Sequence, residues 1–204
     1  MTIDLLAIQL FVLAFTGLLI SYAILKNYLD FRQKKFGTLV DELSAAAIPL
    51  SFLGVYMVAT GIFGQFTYPL PGTYNTLFYD VYTTFGLLVS ATALAAYLKI
   101  TRAFQYIGLF GLMLGAIGFL YGIAGYQIGL TKEPLALLAL YISFGFAGIF
   151  SYPVALFTGR MFLSSKKTIS KAWMISSILF LVFLVAGSAL ALYIGASAVP
   201  AHLA

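Results

Sequence analysis

The sequence predicts an all-α membrane protein built as a bundle of six transmembrane helices, and its composition carries most of that prediction. Of the 204 residues, 62% are hydrophobic and only 8% are charged. A soluble domain carries roughly 25% charged residues, so this chain lacks the polar groups to cover a water-facing surface. Six apolar runs each approach or exceed the roughly 20 residues that cross the hydrocarbon core. We therefore expect a single transmembrane domain over residues 1–204.

Each apolar run is expected to form one helix. The predicted spans are residues 3–25, 39–66, 75–98, 104–128, 134–158 and 172–195. The first run is too long for the core of a signal peptide and has no basic residue before it, so we expect a retained helix. In the second span, Thr38 and Asp41 have the spacing of a capping box, with Glu42 favoured near the same helix end. Pro49 is expected to bend this span mildly.

The basic residues predict the orientation of the bundle. Ten of the eleven lie in loops of one set, and Lys132 alone lies in the other. The positive-inside bias assigns the basic loops to the cytoplasm, which places both termini outside in a multi-pass protein of the cell membrane. Orientation accounts for the net charge of +5, so no nucleic-acid partner is expected. The expected partners are membrane lipids, including anionic headgroups, and other membrane subunits or copies of this chain.

The residue inventory argues against catalysis by this chain alone. It contains no cysteine and a single histidine, His202. Disulfides, thiolate nucleophiles, iron–sulfur ligation and a haem held by two histidines are therefore excluded. No phosphate-binding glycine loop follows a strand, and no pair of acids suggests a two-carboxylate site. We expect no cofactor, no metal site and no catalytic residue.

A stripe of six glycines marks the fourth span. Their steps of three and four residues average close to 3.5, which keeps all of them on one side of a helix. Missing side chains let two helix backbones approach closely, and we prefer this packing role to the lining of a pore. The glycines assigned to helix packing are Gly108, Gly111, Gly115, Gly118, Gly122 and Gly125.

Asp80 is the only acid well inside an apolar run. If Asn75 caps the third span, Asp80 lies about 7.5 Å into the helix. An acid in such a segment is a candidate for function, although here it could equally tie the outer loop to the bundle. Both readings stay open: a structural contact that ties the outer loop to the bundle, or a site for a cation, proton or small solute. The candidate residues are Asp80, Asn75, Tyr79, Tyr82, Gln65 and Gln127.

The two middle hairpins show a weak parallel repeat. Tyr82-Thr83-Thr84-Phe85-Gly86 in the third span echoes Tyr141-Ile142-Ser143-Phe144-Gly145 in the fifth. Gly54 and Gly61 in the second span are seven positions apart, as are Gly111 and Gly118 in the fourth.

One segment carries a resemblance to a known family. Pro69-Leu70-Pro71-Gly72-Thr73-Tyr74-Asn75, followed by Phe78-Tyr79-Asp80-Val81-Tyr82 and Phe85-Gly86, resembles an archaeal and bacterial membrane family, the domain of unknown function 981. The resemblance covers mainly residues 69–86 and implies no activity, substrate or cofactor. It implies that the outer loop and Asp80 form a site that the family shares.

Three functions are compatible with these observations. The leading hypothesis is a non-catalytic accessory or structural subunit of a homo- or hetero-oligomeric membrane complex, motivated by the glycine seam and the missing chemistry. The alternative is a channel or transporter for an ion or small solute that uses the polar cluster around Asp80. A third is an enzyme acting on lipid or quinone, which would need Asp80 with Tyr79 or Tyr82 as its acid–base pair.

Overall fold

The computed structural model describes residues 5–33, 39–70, 72–163 and 170–203, and within them it contains helices and no strand. The helices are α1 Leu5–Arg32, α2 Leu39–Ala45, α3 Ala47–Thr67, α4 Gly72–Tyr97, α5 Ala103–Gln127, α6 Pro134–Leu163 and α7 Lys171–Leu203. All but the short α2 are long and apolar enough to cross a membrane. The prediction of an all-α protein with six such helices is confirmed. The side on which the termini and the basic loops lie stays a prediction.

The second apolar run forms two helices, where the sequence predicted one bent span. The chain breaks at Ala46, which lies between α2 and α3. Pro49 explains the break, because proline has no N–H for the carbonyl of Ala45 and its ring would clash with that carbonyl. The amides of Ala46 and Leu50 keep their bonds, to the carbonyls of Glu42 at 3.2 Å and Ala46 at 3.0 Å.

The short helix α2 is fixed at the end of the bundle that carries the basic loops. Its Val40 and Leu43 are buried, at 2% and 4% exposure, in a core cluster with residues of α1 and α4. On its polar side, Lys26 Nζ lies 2.7 Å from Glu42 Oε2 and Lys99 Nζ lies 3.8 Å from Asp41 Oδ1. These acids therefore hold α2 to its neighbours, a role beyond the local capping that the sequence predicted. Thr38, the predicted cap, lies outside the described residues.

The six long helices form a ring. In the order α1, α3, α4, α5, α6, α7, each packs mainly on the two beside it, and α7 returns to α1. The α3–α4 and α5–α6 hairpins are the closest pairs, whereas α1 touches α3 only slightly. This order follows the chain apart from α2, so consecutive helices are neighbours, as expected for short connections.

The glycine stripe of α5 faces α6. A Cβ at Gly115 would lie 2.5 Å from the carbonyl oxygen of Gly145, and one at Gly148 would lie 2.6 Å from the carbonyl oxygen of Gly111. Such contacts join backbone to backbone and are possible only without side chains. At Gly122 the neighbour is the Cβ of Tyr141, at 2.5 Å. Gly118 is different, because its nearest atoms would be 3.9 Å away.

The two hairpins pack in related ways. In α3–α4, a Cβ at Gly54 or at Gly86 would lie 3.1 Å from the other glycine's carbonyl oxygen. Phe85 and Phe144, which occupy equivalent places in the sequence repeat, meet with ring centroids 5.8 Å apart. Each hairpin thus uses facing glycines, and the repeated aromatic residues meet where α4 approaches α6.

A partly open cavity of about 160 Å³ lies between the helices of the ring. Residues from α1, α4, α5, α6 and α7 line it, together with Leu43 of α2, and the lining is almost wholly apolar. Along α4 it extends from Phe78 to Thr92, a rise of about 21 Å. Four glycines of the stripe, Gly108, Gly111, Gly115 and Gly118, contribute bare backbone to its wall.

Two substitutions within the stripe test the packing of α5 on α6. Gly115→Ala should lower the free energy of unfolding by about 1–3 kcal/mol, because the new methyl group meets a backbone oxygen that cannot move aside. Gly118→Ala should be neutral or stabilising by up to about 1 kcal/mol, because it has room and favours the helix. Thermal unfolding of the two variants in one detergent measures the difference. Equal effects would show that this surface of α5 is not in close contact.

Candidate functional site

Asp80 accepts hydrogen bonds from both helices that flank α4. Gln65 Nε2 on α3 donates to Oδ1 at 3.0 Å, and the Tyr121 hydroxyl on α5 donates to Oδ2 at 3.3 Å. All three side chains are partly buried. A carboxylate has about four acceptor positions, so two neutral donors leave part of its capacity unused.

The carboxylate lies deeper in the membrane span than the sequence predicted. Helix α4 begins at Gly72, three residues before the predicted cap Asn75. Gly72 has φ of +41°, a conformation that glycine adopts without strain, so the helix can start there. Asp80 is therefore about 12 Å into the helix and about 7 Å from its midpoint. The hydrocarbon core extends about 15 Å to either side of its centre, so an α4 centred in the bilayer holds Asp80 inside it.

Asp80 faces away from the centre of the ring. It shares one face of α4 with Thr76, Leu87 and Leu94, which are exposed on the surface of the bundle. Residues four and seven apart lie on one side of a helix. The cavity is lined by the opposite face of α4, including Phe78, Tyr82 and Phe85, and Asp80 is not part of that lining. The acid thus lies on the surface that the bundle turns to the membrane.

No cation compensates Asp80 within the described part of the chain. The ion pairs found there join Lys26 to Glu42 and Lys99 to Asp41, both at the basic end of the bundle. Lys132, the one basic residue of the other loops, is exposed beyond the end of α5. The described residues likewise contain no group of three or more His, Cys, Asp or Glu side chains that could hold a metal. Chemically, a carboxylate with unused acceptor positions is able to accept a hydrogen bond from one cationic group.

Of the predicted partners of Asp80, only Gln65 meets it. Asn75 is fully buried and serves the turn between α3 and α4. Its Nδ2 donates to the carbonyl of Gly64 at 3.1 Å, and its Oδ1 accepts from the amide of Leu70 at 3.2 Å. Asn75 thus ties the two helix ends together from inside the first turn of α4.

The other three candidates lie elsewhere. Tyr79 is completely buried, and its ring fills the space beside Gly64 where a Cβ would overlap it. Tyr82 is buried with its ring stacked on Phe78 and its hydroxyl beside Thr60 of α3. Gln127 ends α5 with an exposed side chain. The acid–base pairing of Asp80 with Tyr82 is therefore not formed.

Tyr121 is the partner that the sequence analysis missed. Asp80 lies 17 residues before the end of α4, and Tyr121 lies 18 residues after the start of α5. Because α4 and α5 are antiparallel and joined by a short turn, residues that are equally far from the turn lie at the same height along the two helices. That spacing was readable from the sequence, but its use requires knowing where both helices end.

The chain belongs to the family described as Protein of unknown function (DUF981), whose model matches residues 1–204. The resemblance seen over residues 69–86 is thereby confirmed and extended to the whole chain. Neither a curated protein nor a solved structure matches it.

The turn beside the site can be tested through Asn75. Asn75→Ala should destabilise the protein by about 1–3 kcal/mol, because the amide of Leu70 loses its partner. Amide hydrogen exchange at Leu70 should accelerate as well. Thr73→Ala, at an exposed position of the same turn, should change stability by no more than about 0.5 kcal/mol. If the two variants matched in both measurements, Asn75 would not hold the turn.

Proposed function

We propose that this member of the DUF981 family is a non-catalytic subunit of a membrane complex, joined to a different membrane protein through Asp80. The carrying observation is a carboxylate on the membrane-facing surface whose hydrogen-bond donors, among the described residues, are the neutral Gln65 and Tyr121. The membrane character and the six apolar helices are features of the fold itself. The subunit role is what the direction of Asp80 supports.

Placing the Asp80 carboxylate on the membrane-facing side has a free-energy cost. A carboxylate near the centre of a bilayer costs about 2.5–3.5 kcal/mol on insertion scales. Intramembrane acids are therefore rare, and they usually face the interior of a bundle or pair with a cation. Gln65 and Tyr121 reduce the cost without neutralising the charge. A lysine or arginine on a neighbouring transmembrane helix would do both, and would gain a charge-assisted hydrogen bond in a medium of low dielectric.

A different protein fits this surface better than a second copy of the chain. A twofold dimer through this face would bring two Asp80 carboxylates together, and like charges at short distance repel. The chain's own described basic residues lie at the basic end or, for Lys132, beyond the helix ends. None is at the level of Asp80, so a second copy offers no matching cation there.

The glycine seam no longer motivates oligomer formation. Its close contacts are made with α6 of the same chain. The subunit proposal therefore rests on Asp80 alone.

The transport alternative is less well supported by the geometry. A path for an ion needs polar groups to replace water, and the cavity is lined by apolar side chains. Two of its hydroxyls are already bonded to backbone carbonyls, Thr92 to Leu88 at 2.8 Å and Ser151 to Gly148 at 2.6 Å. Asp80 lies outside that lining, so it is not placed to bind a solute in the cavity.

Removing the charge of Asp80 tests whether that charge binds a partner protein. Asp80→Asn preserves the shape of the side chain and its acceptor oxygen, and should reduce recovery of the partner by at least about tenfold, the effect of losing roughly 1.4 kcal/mol. The measurement is quantitative mass spectrometry of proteins that copurify with the tagged chain from its native membrane in mild detergent. Glu133→Gln, the same change at an exposed position before α6, is the control.

The outcomes separate cleanly. A partner whose recovery falls with Asp80→Asn and not with Glu133→Gln supports the proposal, and its sequence should contain a basic residue within a transmembrane helix. A wild-type chain that stays monomeric after cross-linking in native membranes contradicts the proposal. So does a partner that is retained equally by both variants.

The same variant distinguishes a role of Asp80 in partner binding from a structural role within the bundle. In the purified chain without partner, Asp80→Asn should leave the free energy of unfolding unchanged or raise it by up to about 3 kcal/mol, because a charge leaves the hydrocarbon. If the carboxylate instead stabilised the bundle, the variant's free energy of unfolding would fall by about 1–3 kcal/mol. Thermal unfolding in lipid nanodiscs decides between the two signs.

A further inference from the structure

The cavity inside the ring is separate from Asp80, which is not part of its lining. Protein interiors are packed as densely as organic crystals, and voids larger than a water molecule are few. This one has a volume of about 160 Å³ and is walled by five long helices. Its size calls for an occupant or a reason for being empty.

Water is a poor occupant for this cavity. A buried water needs two to four polar partners. The hydroxyls of Thr92, Ser151 and Tyr141 on the wall donate to carbonyls of Leu88, Gly148 and Leu77. Tyr82 contributes its ring, while its hydroxyl lies beside Thr60 of α3, a helix that does not line the cavity. The wall therefore offers hydrocarbon and aromatic surface and little for water to bind.

The dimensions favour a linear apolar molecule. An engineered dry cavity of about 150 Å³ takes up benzene, so a volume of this size holds roughly six carbon atoms. Here the space is drawn out over about 21 Å along α4. On the α5 side, Gly118 adds room, because a Cβ there would have no atom nearer than 3.9 Å. A flexible chain follows such an elongated space better than a rigid ring does.

We infer that the cavity binds the terminal segment of a hydrocarbon chain. The surrounding bilayer supplies such chains at very high concentration, and one leaflet's chains extend through about 15 Å, which is shorter than the cavity. Apolar contact with Phe78, Phe85 and Phe144 holds the segment, and no polar group of the wall has to lose its hydrogen bond. The chain could belong to a free fatty acid or to a phospholipid.

Photolabelling distinguishes a hydrocarbon chain inside the cavity from one on the outer surface of the bundle. Two probes are used on the purified protein in nanodiscs: palmitic acid with a diazirine near its methyl end, and phosphatidylcholine with the same diazirine on one chain. Illumination followed by peptide mapping locates the labels. We expect labels on inward residues such as Leu114 and Phe144, and at least a fivefold decrease of these when unlabelled palmitic acid or phosphatidylcholine competes.

Filling the cavity should remove the inner labels. Ala147→Phe and Val154→Phe enlarge buried residues of its wall on α6. The matched controls make the same changes on the membrane-facing surface, Ala124→Phe on α5 and Val55→Phe on α3. Either filling variant that elutes as a folded species should lose at least four-fifths of the inner labels, while labels on the outer surface and both control variants keep the wild-type pattern.

Each outcome has one meaning. Inner labels from palmitic acid alone identify a free chain as the ligand, and inner labels from the phospholipid identify the tail of a bilayer lipid. Inner labels that do not compete, or that persist when the cavity is filled, overturn the inference. Labels confined to the outer surface with both probes overturn it as well.

Discussion

The close approach of α5 and α6 is the contact on which the rest of the bundle depends. Lipid chains are as apolar as leucine, so no hydrophobic force drives these helices together, and association relies on van der Waals contact. Gly111 and Gly115 bring the α5 backbone against Gly145 and Gly148. Gly118 is the member of the stripe that leaves room at the cavity wall, since a Cβ there would have no atom nearer than 3.9 Å. Gly54 and Gly86 bring the second hairpin together in a related way.

The sequence predicted the helices and which residues share a helix face. It did not predict which neighbouring helix packs on each face. A period of 3.5 residues identifies one side of α5 but cannot say which helix lies opposite. The break at Ala46 was missed because the apolar run continues through it, although Pro49 removes a hydrogen bond at that point. The start of α4 was placed three residues late because asparagine is a favoured cap. The structure instead uses Gly72 to begin the helix and buries Asn75 against Gly64.

The direction of Asp80 could not be predicted for a deeper reason. In a soluble helix the polar stripe indicates which side faces water. In a membrane helix the solvent is hydrocarbon, so both the lipid-facing side and the core-facing side are apolar. Leu87 and Leu94 outside resemble Phe85 and Val89 inside, and only packing distinguishes them. Without that distinction the sequence does not show which face of α4 carries Asp80, and Gln65 alone of its predicted partners bonds it.

Helix α4 carries the two proposed binding surfaces on opposite sides. Asp80 faces the membrane, and Phe78 and Tyr82, each two residues away along the chain, line or approach the cavity. Residues within one turn of a helix are joined by its backbone hydrogen bonds and move together. A rotation of α4 that follows a partner at Asp80 must therefore carry the cavity wall with it. This is the physical reason to place cavity variants on α6, because Ala147 and Val154 belong neither to α4 nor to the helices of Gln65 and Tyr121.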